Sequence, residues 1–151
     1  LTSEYAIKDN LQEEMLRILL KRFIILCTRI AREKFSVSPE REKAFDMVRQ
    51  FYVLVDNHFK EKKMVQDYAD MLHRSPKTLS NLFTTCGLPS PLRIIHERIE
   101  AEAKRLLLYS QKSAKEITEI LGFEDQATFS RFFKKMTGES VSEYRKREKR
   151  E

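Results

Sequence analysis

Apolar residues along the chain recur at steps of three and four, the period of a helix, and no stretch shows the β-branched alternation of strands. Over 11–34, Leu16, Leu19, Phe23, Leu26 and Ile30 fall at heptad spacing, with Ile18, Leu20, Ile25 and Cys27 widening the stripe. Over 39–60, Phe45, Val48, Phe51, Tyr52, Val55 and Phe59 share a face. Shorter helices are expected over 65–72, 76–86, 114–121 and 126–137. A longer one over 91–110 carries Ile94, Ile95, Ile99, Ala103, Leu106 and Leu107 at helical spacing. The starts are marked chemically. Ser38-Pro39, Ser75-Pro76 and Ser90-Pro91 each set a capping hydroxyl before a proline, and Ser113 with Glu116 and Ser140 with Glu143 form capping-box pairs. The three glycines, Gly87, Gly122 and Gly138, fall where turns are needed.

Two of these segments are copies of one unit. Thr78, Ser80, Phe83 and Ser90 recur as Thr128, Ser130, Phe133 and Ser140 at a constant offset, whereas Leu72 recurs as Leu121 one residue closer, so the second turn has gained a residue. Each copy is a short apolar helix, a tight turn and a second helix, which is the helix-turn-helix plan whose second helix enters a DNA major groove. The 91–110 helix joins the copies, and at about 28 Å its length is close to one turn of B-DNA, about 34 Å. The expected architecture is therefore all-α. Two helix-turn-helix subdomains joined by a long linker helix (63–151) are preceded by an antiparallel helical hairpin (1–62). The first two helices can pair across 35–38, yet the first carries more apolar surface than one partner helix covers. Homodimerisation through Leu16, Leu19, Phe23, Leu26 and Ile30 is the alternative use of that face.

Composition narrows the partner. The chain has a formal net charge of +6 in 151 residues, favouring an anionic partner without proving one. The run Arg145 to Arg150 is densely basic, which a solvated tail would also explain. No apolar stretch approaches the roughly 20 residues that span a bilayer, and no signal peptide is visible, so a cytoplasmic location without a membrane partner is expected. Cys27 and Cys86 are expected to be reduced thiols. His58, His73 and His96 lack ligand spacing and no Gly-rich phosphate loop occurs, so neither an enzyme, a metal site nor a cofactor is expected. A start at Leu1 points to a fragment of a longer protein.

The residues that carry the duplication also resemble the AraC/XylS family of bacterial transcription regulators. The similarity covers 64–146 and centres on Ile117-x-x-Ile120-Leu121-Gly122-Phe123-x-Asp125, Phe129-Ser130-Arg131-x-Phe133-Lys134-Lys135 and Gly138-x-Ser140. It implies a sequence-specific regulator of double-stranded DNA, usually an activator, that contacts RNA polymerase. An effector, if one exists, would bind a sensing domain absent from this chain. Three positions depart from the pattern: His73 stands at the usual turn glycine of the first unit, Leu88 follows Gly87 where the glycine after its second helix is usual, and Val141 replaces a proline.

Base readout needs donors and acceptors on the outer face at the start of each recognition helix while the inner face anchors it. In the second unit Phe129, Phe132 and Phe133 anchor, leaving Gln126, Ala127, Thr128 and Arg131 outward. Arg131 can hold guanine through its planar fork, Gln126 can pair with adenine, and Ala127 or the Thr128 methyl can meet a thymine methyl. The bland alternative for Arg131 is a salt bridge with Glu124 or Asp125. In the first unit Leu79, Leu82 and Phe83 anchor and Lys77, Thr78, Ser80 and Asn81 face out, with Asn81 in the place of Arg131. Ser90, Arg93, Lys134, Lys135 and Ser140 are candidates for phosphate contacts. The competing function is a helical module that binds protein through the same surfaces. RNA is disfavoured because the aromatics fall on anchoring faces.

Overall fold

The structure, a computed structural model, describes residues 10–34 and 38–148. The turn expected to close the hairpin, 35–37, and the terminal basic residues Lys149 and Arg150 lie outside the described residues. Eight helices and no strand occur among the described residues: α1 (Asn10–Lys34), α2 (Pro39–His58), α3 (Val65–Met71), α4 (Pro76–Thr85), α5 (Pro91–Tyr109), α6 (Ala114–Ile120), α7 (Gln126–Thr137) and α8 (Val141–Glu148). Helices α3 to α6 each stop one residue before the expected end, because Leu72, Cys86, Ser110 and Leu121 serve as their C-caps.

The chain divides into two compact units, Leu1–Glu42 and Lys43–Glu151. In the first, α1 presents an apolar surface to solvent. Leu16 is 43%, Leu19 44%, Phe23 63%, Leu26 45% and Ile30 52% exposed, and Ile18, Leu20 and Ile25 are open as well. Cys27 is exposed and free.

The second unit holds the hydrophobic core, and the division expected after residue 62 falls inside it. The reason lies in α2, where Val48, Phe51 and Val55 are buried, and Phe59 just past its end continues the three-four-four spacing. The Phe51 ring lies 5.0 Å from that of Phe83 and 5.5 Å from that of Tyr68, so this face of α2 belongs to the core of the first helix-turn-helix. Phe45 and Tyr52, which share the apolar face by sequence, sit at its margin and are exposed.

The two helix-turn-helix copies repeat down to their backbone hydrogen bonds. After α3, the N–H of Arg74 donates to the carbonyl of Ala69 and that of His73 to Asp70; after α6, Phe123 donates to Thr118 and Gly122 to Glu119. Both turns therefore close in the same left-handed helix stop. His73 (φ 51) occupies in the first turn the backbone conformation that Gly122 (φ 66) occupies in the second. A β-carbon there costs roughly 1–2 kcal/mol, so the departure at His73 changes the residue and keeps the geometry. The extra residue of the second copy lies between Phe123 and the cap Asp125, which matches the cap Ser75 of the first. Ser75 Oγ accepts from the Thr78 N–H at 3.1 Å and Asp125 Oδ1 from the Thr128 N–H at 2.7 Å.

Helix α5 buries Ile94, Ile95, Ile99, Ala103, Leu106 and Leu107 and contacts α3 and α4 of the first copy and α6, α7 and α8 of the second. Fully burying aliphatic side chains of this size contributes roughly 1.5–3 kcal/mol each. Both copies are thus anchored on one rod.

Candidate nucleic-acid interface

The outer face of α4 is polar and open. Lys77, Thr78, Ser80 and Asn81 are all exposed, whereas Leu79 and Phe83 are fully buried and Leu82 half-buried. Thr78 is partly committed to the helix start, since its hydroxyl lies 2.8 Å from Ser75 Oγ. Asn81 is exposed, one turn beyond Lys77.

On α7, Gln126, Ala127 and Arg131 are exposed and Phe129 and Phe133 fully buried. Phe132 is half-buried, with its ring 5.3 Å from His96 and 5.3 Å from Phe123. Thr128 is half-buried rather than outward. Its hydroxyl bridges the Asp125 carboxylate (3.1 Å) and the Arg131 guanidinium, which donates from Nη2 at 3.2 Å. The hydrogen bond of Arg131 therefore runs to Thr128 and not directly to Glu124 or Asp125.

Asp125, which the sequence offered only as a salt-bridge partner, caps α7 and joins the Thr128–Arg131 hydrogen bonds. The hydrogen bond from the Thr128 N–H holds its carboxyl below the ordinary aspartate value, helped by the Thr128 hydroxyl, the Ala127 N–H and the charge of Arg131. The capping carboxylate is thus linked through the Thr128 hydroxyl to the Arg131 guanidinium. The signal was available as an Asp three residues before a Thr at a helix start.

The phosphate candidates divide. Lys134 and Lys135 are exposed on α7. Ser90 is exposed at the start of α5, accepting from the Arg93 N–H at 3.4 Å, and Arg93 turns its Nε to Glu97 at 2.7 Å. Ser140 is half-buried, and its own N–H, the group a phosphate would use, donates to Glu143 Oε2 at 2.7 Å. His96 is held below its ordinary value by burial and then by the charge of Lys135. Among the described residues no cluster of His, Cys, Asp and Glu can hold a metal ion, and no helix is long and apolar enough to cross a membrane.

A helix-turn-helix domain family matches residues 68–147. The helix-turn-helix-type transcriptional regulator YisR of Bacillus subtilis is 30% identical over 122 residues, covering 80% of this chain and 41% of that protein. The arabinose operon regulatory protein of Salmonella typhimurium is 36% identical over 92 residues, 61% of this chain and 31% of that one. The chain thus spans less than half the length of these curated relatives. Among solved structures, the C-terminal domain of AraT, a response regulator from Geobacillus stearothermophilus, superposes with a TM-score of 0.61 at 28% identity, covering 73% of this chain and 86% of that domain. An AraC-type regulator from Chromobacterium violaceum, at 20% identity and a TM-score of 0.60 over 71% of this chain and 96% of that one, shares the fold. With two helix-turn-helix copies on one central helix and a matched domain of this type over more than half its length, the chain belongs to the AraC family of helix-turn-helix transcriptional regulators.

Proposed function

We propose that this chain is the DNA-binding part of a bacterial transcription regulator, and that α4 and α7 read successive major-groove segments on one face of the duplex. The observation that carries the reading is the pair of open polar faces, Lys77 to Asn81 and Gln126 to Arg131, each backed by buried aromatic and aliphatic anchors on helices that pack against α5. Arg131 is the principal base contact. It is pre-oriented by Thr128, so less side-chain freedom is lost on binding guanine. Asn81 reads adenine in the other half-element. Lys134 and Lys135 contact phosphates and make affinity fall with salt. Ser90 and Arg93 form a secondary phosphate contact, and Ser140 serves as a helix cap for α8.

The exposed heptad face of α1 supports homodimerisation of the regulator in the cytoplasm. RNA polymerase contact, activation of transcription and any effector-binding domain belong to the same reading of the whole protein. A relative named as a transcriptional activator, from Rhodococcus, is consistent with activation.

The test is in vitro selection of random duplex DNA, followed by titration of the winning site. Two blocks about 10 base pairs apart are expected. Arg131→Ala should relax specificity in one block, with loss of discrimination equivalent to about 1–3 kcal/mol at one base. Equal affinity after scrambling either block, or binding governed only by salt, would refute the reading.

A further inference from the structure

Helix α5 is not the only connection between the two helix-turn-helix copies. A second one runs through the loop that follows α2. Lys63 Nζ donates to the Lys60 carbonyl at 2.6 Å and to the Gly122 carbonyl at 2.7 Å, joining residues 59 positions apart in the chain. The same ammonium lies 5.1 Å from the Phe123 ring centroid. Contact is close enough that a β-carbon on Gly122 would stand 2.1 Å from the Lys60 oxygen.

Both ends of this bridge lead to recognition helices. On one side the Tyr68 hydroxyl, on a fully buried side chain, donates to the Lys62 carbonyl at 2.8 Å. The Tyr68 ring packs on Phe51, which packs on Phe83 of α4. On the other side Phe123 packs on Phe129 and Phe132 of α7, at 5.5 and 5.3 Å. The base of the loop is held to α5, where Arg98 donates to Asp56 at 2.7 Å and covers the Phe59 ring at 4.1 Å.

A single helix resists bending but leaves the bodies at its two ends free to rock. A second attachment away from its axis removes that freedom. A base-pair step on B-DNA displaces the next contact by about 3.4 Å and rotates it by about 34°, so small rocking would let the two reading heads accept wrong spacings. Lysine suits the bridge, because its three donors reach two carbonyls at once while its charge faces an aromatic ring. We propose that Lys63 is a positioning residue that clamps the two helix-turn-helix copies together, and so sets the spacing between half-elements that the protein accepts.

The spacing part rests on the proposed two-part reading of DNA, so the clamp is tested first without DNA. Spin labels on Lys77→Cys and Lys134→Cys, in a background with Cys27 and Cys86 replaced by serine, report the separation of α4 and α7. Lys63→Met keeps the aliphatic packing and removes the donors; Lys63→Arg keeps two-carbonyl donation and acts as the control. The distance distribution should broaden with Met and stay narrow with Arg, both proteins remaining helical by circular dichroism. An unchanged distribution in Lys63→Met overturns the clamp. Sites with half-elements moved by one base pair in either direction are then titrated. The wild type should lose roughly tenfold or more per step, the cost of one disrupted base contact. Lys63→Met should lose affinity at the best spacing and show a flatter profile. An unaltered spacing profile overturns the role in recognition. Broadened distances together with the absence of any two-block site would support the clamp and refute the two-part reading of DNA. If Lys63→Met does not fold, Lys63→Gln, which retains a single donor group, carries the same comparison.

Discussion

Gly122→Ala and Gly138→Ala form a matched pair that separates backbone strain from steric exclusion. Both glycines have positive φ, 66° and 83°. An alanine there pays roughly 1–2 kcal/mol for its left-handed conformation, offset by about 0.4–1 kcal/mol from the stiffer unfolded chain. Gly138 has nothing within 4 Å of the added β-carbon, so its net loss should be about 1.5 kcal/mol or less. At Gly122 the β-carbon would meet the Lys60 carbonyl oxygen at 2.1 Å and Lys63 Nζ at 3.1 Å. The loop must retreat by about 1 Å or more to reach ordinary contact, and this disrupts the two hydrogen bonds from Lys63. Forced repacking costs about 1–3 kcal/mol and weakened charge-assisted hydrogen bonds add about 1.5 kcal/mol. Gly122→Ala should therefore be about 2.5–4.5 kcal/mol less stable than Gly138→Ala. For a unit of this size that is a gap in Tm of at least about 10 °C, read by circular dichroism melts of both variants side by side. Equal Tm values would mean that the close approach of Gly122 to Lys60 does not exist in solution.

The remaining predictions concern charge, readout and assembly. Acidification should lower stability through the capping carboxylates: hydrogen bonds from the Thr128 N–H to Asp125, from the Ser113 N–H to Glu116 and from the Ser140 hydroxyl to Glu143 hold these groups below their ordinary values. Because the folded values are depressed, the stabilisation is present above the unfolded values and lost as pH falls through the folded ones. Asp125→Asn, which keeps a capping oxygen, should show a shallower fall of Tm with acid than wild type, and an identical slope would count against the cap. His96 is depressed by burial and by Lys135, so its share of stability is present above the ordinary histidine range and lost as pH falls through its folded value; His96→Gln should flatten that part of the Tm profile. Thr128→Val removes the hydroxyl between Asp125 and Arg131 and should weaken guanine discrimination by about tenfold, the lower part of the range for a bidentate contact, in a base-substitution titration. An unchanged preference would show that Arg131 needs no support. Leu19→Glu with Leu26→Glu on α1 should abolish a concentration-dependent dimer in sedimentation velocity, and a wild type that stays monomeric at every concentration would remove the dimer proposal.

The legibility of this chain follows the range of each interaction. Helix starts could be read because Ser75, Ser90 and Ser113 act on backbone groups three residues away, and the structure places each of those hydrogen bonds. The change of offset between the copies located the extra residue in the second turn, where Glu124 now stands before the cap Asp125. Burial of Leu79, Phe83, Phe129 and Phe133 followed from helical period alone. What resisted reading depends on contacts remote in sequence. The role of Lys63 is set by a carbonyl 59 residues away, and periodicity cannot reveal it. The attachment of α2 to the second unit turns on which of two adjacent apolar stripes is covered: Phe51 is buried and Tyr52 is not, although both fit the same helix face. Thr128 is half-buried for a local reason, because a hydroxyl at the third position of a capped helix bonds to its own cap.

The continuous burial of α5 constrains how such a protein can change. Inserting or deleting one residue within Pro91–Tyr109 would turn everything beyond it by about 100° and shift it by about 1.5 Å. Ile99, Ala103, Leu106 and Leu107 would leave the core face in the same step. Length variation in this helix is therefore filtered out at the level of folding, before any effect on DNA arises. On the proposed two-part reading of DNA, descendants of this sequence would acquire new binding sites by exchanging side chains on α4 and α7, one base preference at a time, while the spacing between half-elements would change through the Lys63 bridge rather than through the length of α5.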